Sequence, residues 1–167
     1  MNKCLINFQR AWFSVVLAGI AAGVLSTLIQ VLLWVIFTDS FPSILYRDAR
    51  LTAAILLGQS VLPPPASFDM GVVVIATLIH FSLSIVYVAS LAFMDAWLKA
   101  VPMLWVGISF GVVLYAVNLY GFTGVFPWFE QTRGWITLIA HGVFGAVAIL
   151  VYRWLNITDA RRQADVR

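Results

Sequence analysis

The sequence predicts an all-α membrane protein: four transmembrane helices in a bundle, both termini cytoplasmic, with an extracytoplasmic amphipathic helix between spans 1 and 2. Three observations carry this expectation. The first is composition: of 167 residues 62% are hydrophobic and only 10% charged, with a mean hydropathy of +0.97, whereas a soluble domain carries about 25% charged residues. The second is the placing of those charges, which leaves residues 11–38, 70–94, 100–129 and 134–152 uncharged. Each stretch supplies the roughly 20 apolar residues that cross a hydrocarbon core. They are continuously apolar and do not alternate, so they read as helices and not as barrel strands. The third is the asymmetry of basic residues. Lys3, Arg10, Lys99, Arg153, Arg161, Arg162 and Arg167 fall on the side of the termini, against Arg47, Arg50 and Arg133 on the other. The side richer in Lys and Arg is the cytoplasmic one.

Span 1 covers about residues 12–37. A basic segment followed by an apolar run is also how a signal peptide begins. This run is too long, and its outer end lacks a small-residue cleavage pattern, so the expectation is an uncleaved anchor. Cys4, the sole cysteine, excludes an intramolecular disulfide. Gly19 and Gly23 form a GxxxG spacing suited to close helix packing, and Gln30 is an uncharged polar group in the outer half of the span.

The connector TDSFPSILYRDARLTAAILLGQSVLPPPASFD holds the interfacial helix, about residues 42–58. Asp39 or Ser40 can cap it, Pro42 suits its first turn, and Gly58 can end it. Ile44, Leu45, Leu51, Ile55 and Leu56 alternate with Arg47, Asp48, Arg50 and Thr52, the pattern of a helix lying along a membrane surface. Such a helix is either a lid or a passive connector. Pro63, Pro64 and Pro65 predict an extended return to the bilayer.

Span 2, about residues 70–94, contains His80, and the turn MDAWLKAVP after it leaves little room for a cytoplasmic domain. Span 3, about residues 101–121, carries Gly107 and Gly111 in a second GxxxG and Asn118 near its outer end. In the short aromatic loop that follows, Glu130 and Arg133 can pair with each other or with Asp48 and Arg47. Span 4, about residues 135–154, contains His141. Its tail has an RR pair at 161–162, read as topology charge or a contact with anionic lipid. Trp12, Trp97, Trp105 and Trp154 fall at inner helix ends and Trp34, Trp128 and Trp135 at outer ends, where interfacial indoles settle.

The two halves carry a faint duplication. GIAAGVLSTLIQ (19–30) aligns with GISFGVVLYAVN (107–118), pairing Gly19 with Gly107, Gly23 with Gly111 and Gln30 with Asn118. Spans 2 and 4 then pair His80 with His141 and Ser84 with Gly145. Two spans per half make the repeats parallel, related by an axis along the membrane normal.

The segments FTDSFPSILYRDARLTAAILLGQSVLPPPASFD and YAVNLYGFTGVFPWFEQTRGWITLIAH resemble a family of small bacterial four-span inner-membrane proteins of unknown function. Some of its members carry the label sodium:proline symporter. The resemblance implies a four-helix protein of the bacterial inner membrane and assigns no activity or site residue. Sodium–solute symporters use many more spans and helices broken at the midplane, which this pattern lacks.

One strong polar group therefore comes from each span: Gln30, His80, Asn118 and His141. His80 lies about three turns, and His141 about two, from the outer ends of their spans. All four fall in the outer half of the bilayer, where polar side chains turn inward and find partners. They are expected to form one cluster, for which three readings stand open. The first is interhelical hydrogen bonding. The second is a haem b held by His80 and His141, with the four glycines admitting the macrocycle. The third is a small-ligand or proton pathway. Two histidines without a nearby thiol or carboxylate fall short of a zinc set. No P-loop, GxSxG, HExxH or paired intramembrane carboxylate occurs, so no enzyme is expected. No basic patch lies on a soluble face, so no nucleic acid is expected. The partners expected are the lipid bilayer and, with further small residues at Ala21 and Ala22, a second copy or a larger membrane complex.

Overall fold

A computed structural model describes residues 3–95, 97–98 and 100–165, with side chains for residue 9 and for 11–95, 97–98 and 100–157. Lys99 and Arg167, and the side chains of Lys3, Cys4, Arg10, Arg161 and Arg162, on which the topology, thiol and tail expectations draw, lie outside the described residues. Among those described there is helix and no strand: α1 (Lys3–Phe37), α2 (Ser43–Leu57), α3 (Met70–Asp95), α4 (Met103–Ala116) and α5 (Trp135–Asp165). Four helical stretches, Ala11–Phe37, Met70–Asp95, Met103–Gly124 and Trp135–Ile157, are long and apolar enough to cross a membrane.

Helix α5 is the axis of the bundle, packing most extensively on α4 and on α1, while α1 also packs on α3. Helices α3 and α4 scarcely approach each other, so the fourth side of the bundle is not closed by helix contact. The dry core lies towards the end that carries the termini. There Val15, Ala18 and Ala22 of α1 meet Val88 and Leu91 of α3, Val106 of α4 and Ala148 and Ile149 of α5. The polar residues of the spans sit nearer the end that carries α2.

The glycines set how closely the helices approach. A Cβ at Gly19 would come within 3.0 Å of Ile85, and one at Gly23 within 3.1 Å of the His80 ring. At Gly107 it would lie 2.7 Å from the Ala146 Cα, and at Gly111 it would overlap the His141 carbonyl. The two GxxxG pairs thus serve different contacts, α1 on α3 and α4 on α5. Gly145, from the facing helix, completes the second by packing on Gly107 and Gly111.

Several local expectations are corrected. Neither Asp39 nor Ser40 caps α2 with its side chain. Pro42 itself holds the cap position, and the Ser40 carbonyl accepts the Ile44 N–H at 2.9 Å. Gly58 ends α2 with φ 72°, a conformation that favours glycine. The buried side of α2 is Leu51, Ala53 and Ala54, with Ala53 against Val72 and Ala76 of α3, while Leu56 is largely exposed. The return segment does not run extended from the end of α2: it opens with a 3-10 turn, Gln59–Val61, ahead of its prolines. Span 3 does not stay α-helical to its end: it widens into a π turn, Val117–Gly121, and then tightens into a 3-10 turn, Phe122–Gly124. Trp34 is 5% exposed and packs inside the protein, unlike Trp12, Trp97, Trp105, Trp135 and Trp154, which are exposed near the ends of the apolar spans.

Candidate functional site

A cavity of about 490 Å3 occupies the α2 end of the bundle, and Gln30, His80, Asn118 and His141 all line it. Its floor follows from the core below. Each span contributes core residues on one side of a short boundary (Ala22 of α1, Val88 of α3, Leu114 of α4, Phe144 of α5) and cavity residues on the other. Its roof is Asp48, Thr52 and Ile55 of α2, with Phe122, Phe126 and Phe129 of the second loop.

The polar groups form two separate walls. On the α1/α3 wall, His80 Nε2 lies 3.3 Å from the Gly23 carbonyl and 3.3 Å from Thr27 Oγ1. A carbonyl only accepts, so the proton sits on Nε2, and Nδ1 keeps its lone pair. On the α4/α5 wall, Asn118 Oδ1 accepts the hydroxyl proton of Tyr87, which reaches across from α3, at 2.7 Å, and the Asn118 amide faces His141 Nε2 at 3.4 Å. His141 Nδ1 donates to the Thr137 carbonyl at 2.8 Å. The neutral ring must then accept at Nε2, which assigns the Asn118 NH2 to it and the Asn118 oxygen to Tyr87. One N–H of Asn118 is left over. The π turn carries Asn118, and such turns recur at functional sites.

Gln30 differs from the others. It is half-buried and lines the cavity, and among the described residues its carboxamide makes no hydrogen bond. The four residues therefore share one space without sharing one network, and His80 reaches Thr27 and Gly23 instead of Gln30.

The roof is fastened. Arg50 donates to the Val61 carbonyl at 2.9 Å and to the Ser67 carbonyl at 3.1 Å, and Trp128 Nε1 donates to the Leu51 carbonyl at 2.9 Å. Arg47 pairs with Asp48 at 2.7 Å, and Arg133 with Glu130 at 3.2 Å, so each loop satisfies its own charges. Arg133 also donates to the Leu119 carbonyl at 2.8 Å and lies 4.3 Å from the Tyr120 ring centre. Burial holds the Asp48 carboxyl above its usual 3.8, against the opposing pull of the Arg47 guanidinium. These bonds describe a fixed roof.

The glycine faces that a haem would need are taken. Gly19 and Gly23 are covered by α3 and Gly107 and Gly111 by α5, and both imidazole Nε2 atoms already face protein partners. As arranged, His141 has both ring nitrogens in protein contacts and His80 keeps the lone pair of Nδ1. Among the described residues no three of His, Cys, Asp and Glu converge as metal ligands do.

Three contributors escaped the sequence reading. Tyr87 looked like one more apolar-span aromatic, and nothing in its spacing signals the bond to Asn118. Trp128, which the sequence places at the lipid interface, ties the second loop to α2. Asp95 and Arg153, counted separately as topology charges, form a mostly buried ion pair at 2.7 Å, and Arg153 also donates to the Leu98 carbonyl. Ser84 donates to the His80 carbonyl at 2.8 Å, and the Tyr115 hydroxyl accepts the Gly134 N–H at 3.2 Å.

Comparison of the chain with family models, with curated proteins and with solved structures returned no match.

Proposed function

We propose that this chain is a non-enzymatic multi-pass protein of the bacterial inner membrane, with both termini cytoplasmic, that binds a small molecule in a cavity in the outer half of the bilayer. The observation that carries this reading is the convergence of Gln30, His80, Asn118 and His141, from four different spans, on one space of about 490 Å3. Protein interiors are close-packed, and polar groups placed only to hold helices in register would be closed over by their neighbours. A space of this size, apolar for most of its lining and furnished with a few polar groups, has the make-up of a ligand pocket. Proton conduction is less well supported, because the Asn118 carboxamide stands between Tyr87 and His141 and an amide does not readily pass a proton on.

Two serines test the cavity. Ser84 and Ser14 are 2% and 1% exposed, but only Ser84 lines the cavity. In a Cys4→Ser background, a small membrane-permeant maleimide should label Ser84→Cys and spare Ser14→Cys. Equal protection of both would sink the reading. Reporter fusions after residues 60, 98 and 130 should report periplasm, cytoplasm and periplasm, and a cytoplasmic signal at 60 would overturn the orientation.

A further inference from the structure

We infer that the cavity takes a neutral, membrane-soluble ring compound with two acceptor oxygens on opposite edges, the chemistry of a quinone; this rests on the ligand-binding reading above. Three features of the cavity lead to that class. The first is its way in. Leu83, Val86 and Phe122 line the cavity and are 37%, 56% and 46% exposed on the outside of the protein. These residues come from α3 and from the end of span 3, so the opening lies on the side where the α3 and α4 backbones scarcely meet and which the Tyr87–Asn118 hydrogen bond crosses. A molecule using that opening arrives from the hydrocarbon and can leave an apolar tail in it.

The second is charge. Apart from Asp48, whose carboxylate is already bound by Arg47, every polar side chain on the lining is an amide, a hydroxyl or a neutral imidazole. A strongly charged ligand would find no counter-ion there, and burying it unpaired is unfavourable by several kcal/mol or more. The ligand is neutral.

The third is the balance of donors. Most lining hydroxyls are already spent: Ser26 on the Gly23 carbonyl, Thr52 on the Asp48 carbonyl, Ser84 on the His80 carbonyl and Tyr87 on Asn118. Among the described residues the Gln30 carboxamide of α1 has no protein partner and Asn118 of α4 keeps one N–H after His141, while the Thr27 and Thr137 hydroxyls also keep a proton to donate. Two carboxamides facing one space call for two acceptors on one molecule. The lining is also aromatic, with Phe126 and Phe129 in the roof and Phe144 and Tyr87 below it, which suits a flat ring. No electron transfer is part of this inference; it concerns binding alone.

The test uses the full chain in lipid nanodiscs, titrated calorimetrically with 2-methyl-1,4-naphthoquinone and with 2-methylnaphthalene, the same skeleton without oxygens, with empty nanodiscs subtracted. The quinone should bind saturably and more tightly than the hydrocarbon. Gln30→Leu and Asn118→Leu should each weaken the quinone about three- to tenfold, the range of one intramembrane hydrogen bond, and leave the hydrocarbon unchanged. Gln30→Leu breaks no protein bond, so it keeps the test decisive if Asn118→Leu fails to fold. Equal binding of both compounds, insensitive to Gln30→Leu, overturns the quinone assignment and leaves a general apolar pocket. Binding of neither compound while Ser84→Cys remains reactive overturns the ligand class alone. Binding of neither with Ser84→Cys protected overturns the cavity reading as well.

Discussion

Replacing Gly111 by alanine adds one methyl group at a close backbone contact between α4 and α5, and the consequence can be worked from the backbone. The new Cβ would overlap the His141 carbonyl and lie within 2.9 Å of the Gly142 Cα. These are main-chain atoms in mid-helix, so no side chain can swing aside. Carbon atoms rest at about 3.5–4.0 Å, so the α4 and α5 axes must part by roughly 1 Å. That separation loosens the packing of Val106 and Leu114 against Phe144, Ala148 and Ile149. It also stretches the Asn118–His141 contact, already long at 3.4 Å. Overpacking of this kind is unfavourable by about 1–3 kcal/mol, and the absence of any soft neighbour puts Gly111→Ala near the top of that range. The control lies across the same interface. A Cβ at Gly142 meets nothing within 4 Å, so Gly142→Ala should gain helix propensity, up to about 1 kcal/mol. Reversible unfolding in mixed micelles, titrated with a denaturing detergent, measures both. If Gly111→Ala proves as stable as Gly142→Ala, the two helices are not in backbone contact and the packing argument fails.

Three further outcomes follow from the same geometry. Asn118→Leu and His141→Leu should be coupled by about 0.5–2 kcal/mol in a double-mutant cycle, while Gln30→Leu and His141→Leu should add; additivity in the first pair removes the α4/α5 wall network. Arg153→Met should destabilise by about 3 kcal/mol, since it leaves Asp95 mostly buried and unpaired, and adding Asp95→Leu should restore most of the loss; a double variant as weak as the single one would show that the partners act separately. Because the Asp48 carboxyl is raised by burial, the folded state holds its proton more tightly than the unfolded chain does. Its contribution to stability is therefore fullest below pH 3.8 and is lost as pH rises through the raised value. Asp48→Asn should flatten that slope above pH 3.8, and an unchanged pH profile would contradict the assignment.

The spans were legible because charge is intolerable in hydrocarbon: Asp39, Asp69, Asp95, Lys99, Glu130 and Arg133 mark the limits of the apolar runs. The inward position of Gln30, His80, Asn118 and His141 was legible for the same reason. Which partner each one chose was not. His80 meets α1 at Gly23 and Thr27, and Gln30 lies further along the same helix, a difference of level that helical spacing alone does not reveal. The π turn at Val117–Gly121 leaves no compositional mark, because a single wide turn alters one hydrogen-bond register and no residue preference. The Asp95–Arg153 pair spans 58 positions and joins two helix ends that only the folded bundle brings together.

The faint duplication becomes more informative once contacts are compared. Under the alignment of the halves, Gly19 against Ile85 corresponds to Gly107 against Ala146, and Gly23 against His80 corresponds to Gly111 against His141. Gly23 against Ser84 corresponds likewise to Gly111 against Gly145. The same helix pair is thus built twice, α1 on α3 and α4 on α5, with one difference. In the second half the amide, Asn118, meets the imidazole of His141. In the first half the imidazole of His80 turns to Gly23 and Thr27, and its amide counterpart, Gln30, is left open to the cavity. Ser84, larger than its counterpart Gly145, fills the space beside Gly23 that closer helix contact would otherwise take. The two similar halves therefore leave different polar groups open to the cavity: in the first the whole Gln30 carboxamide lacks a protein partner among the described residues, and in the second Asn118, held by His141 and by Tyr87 of α3, keeps one N–H.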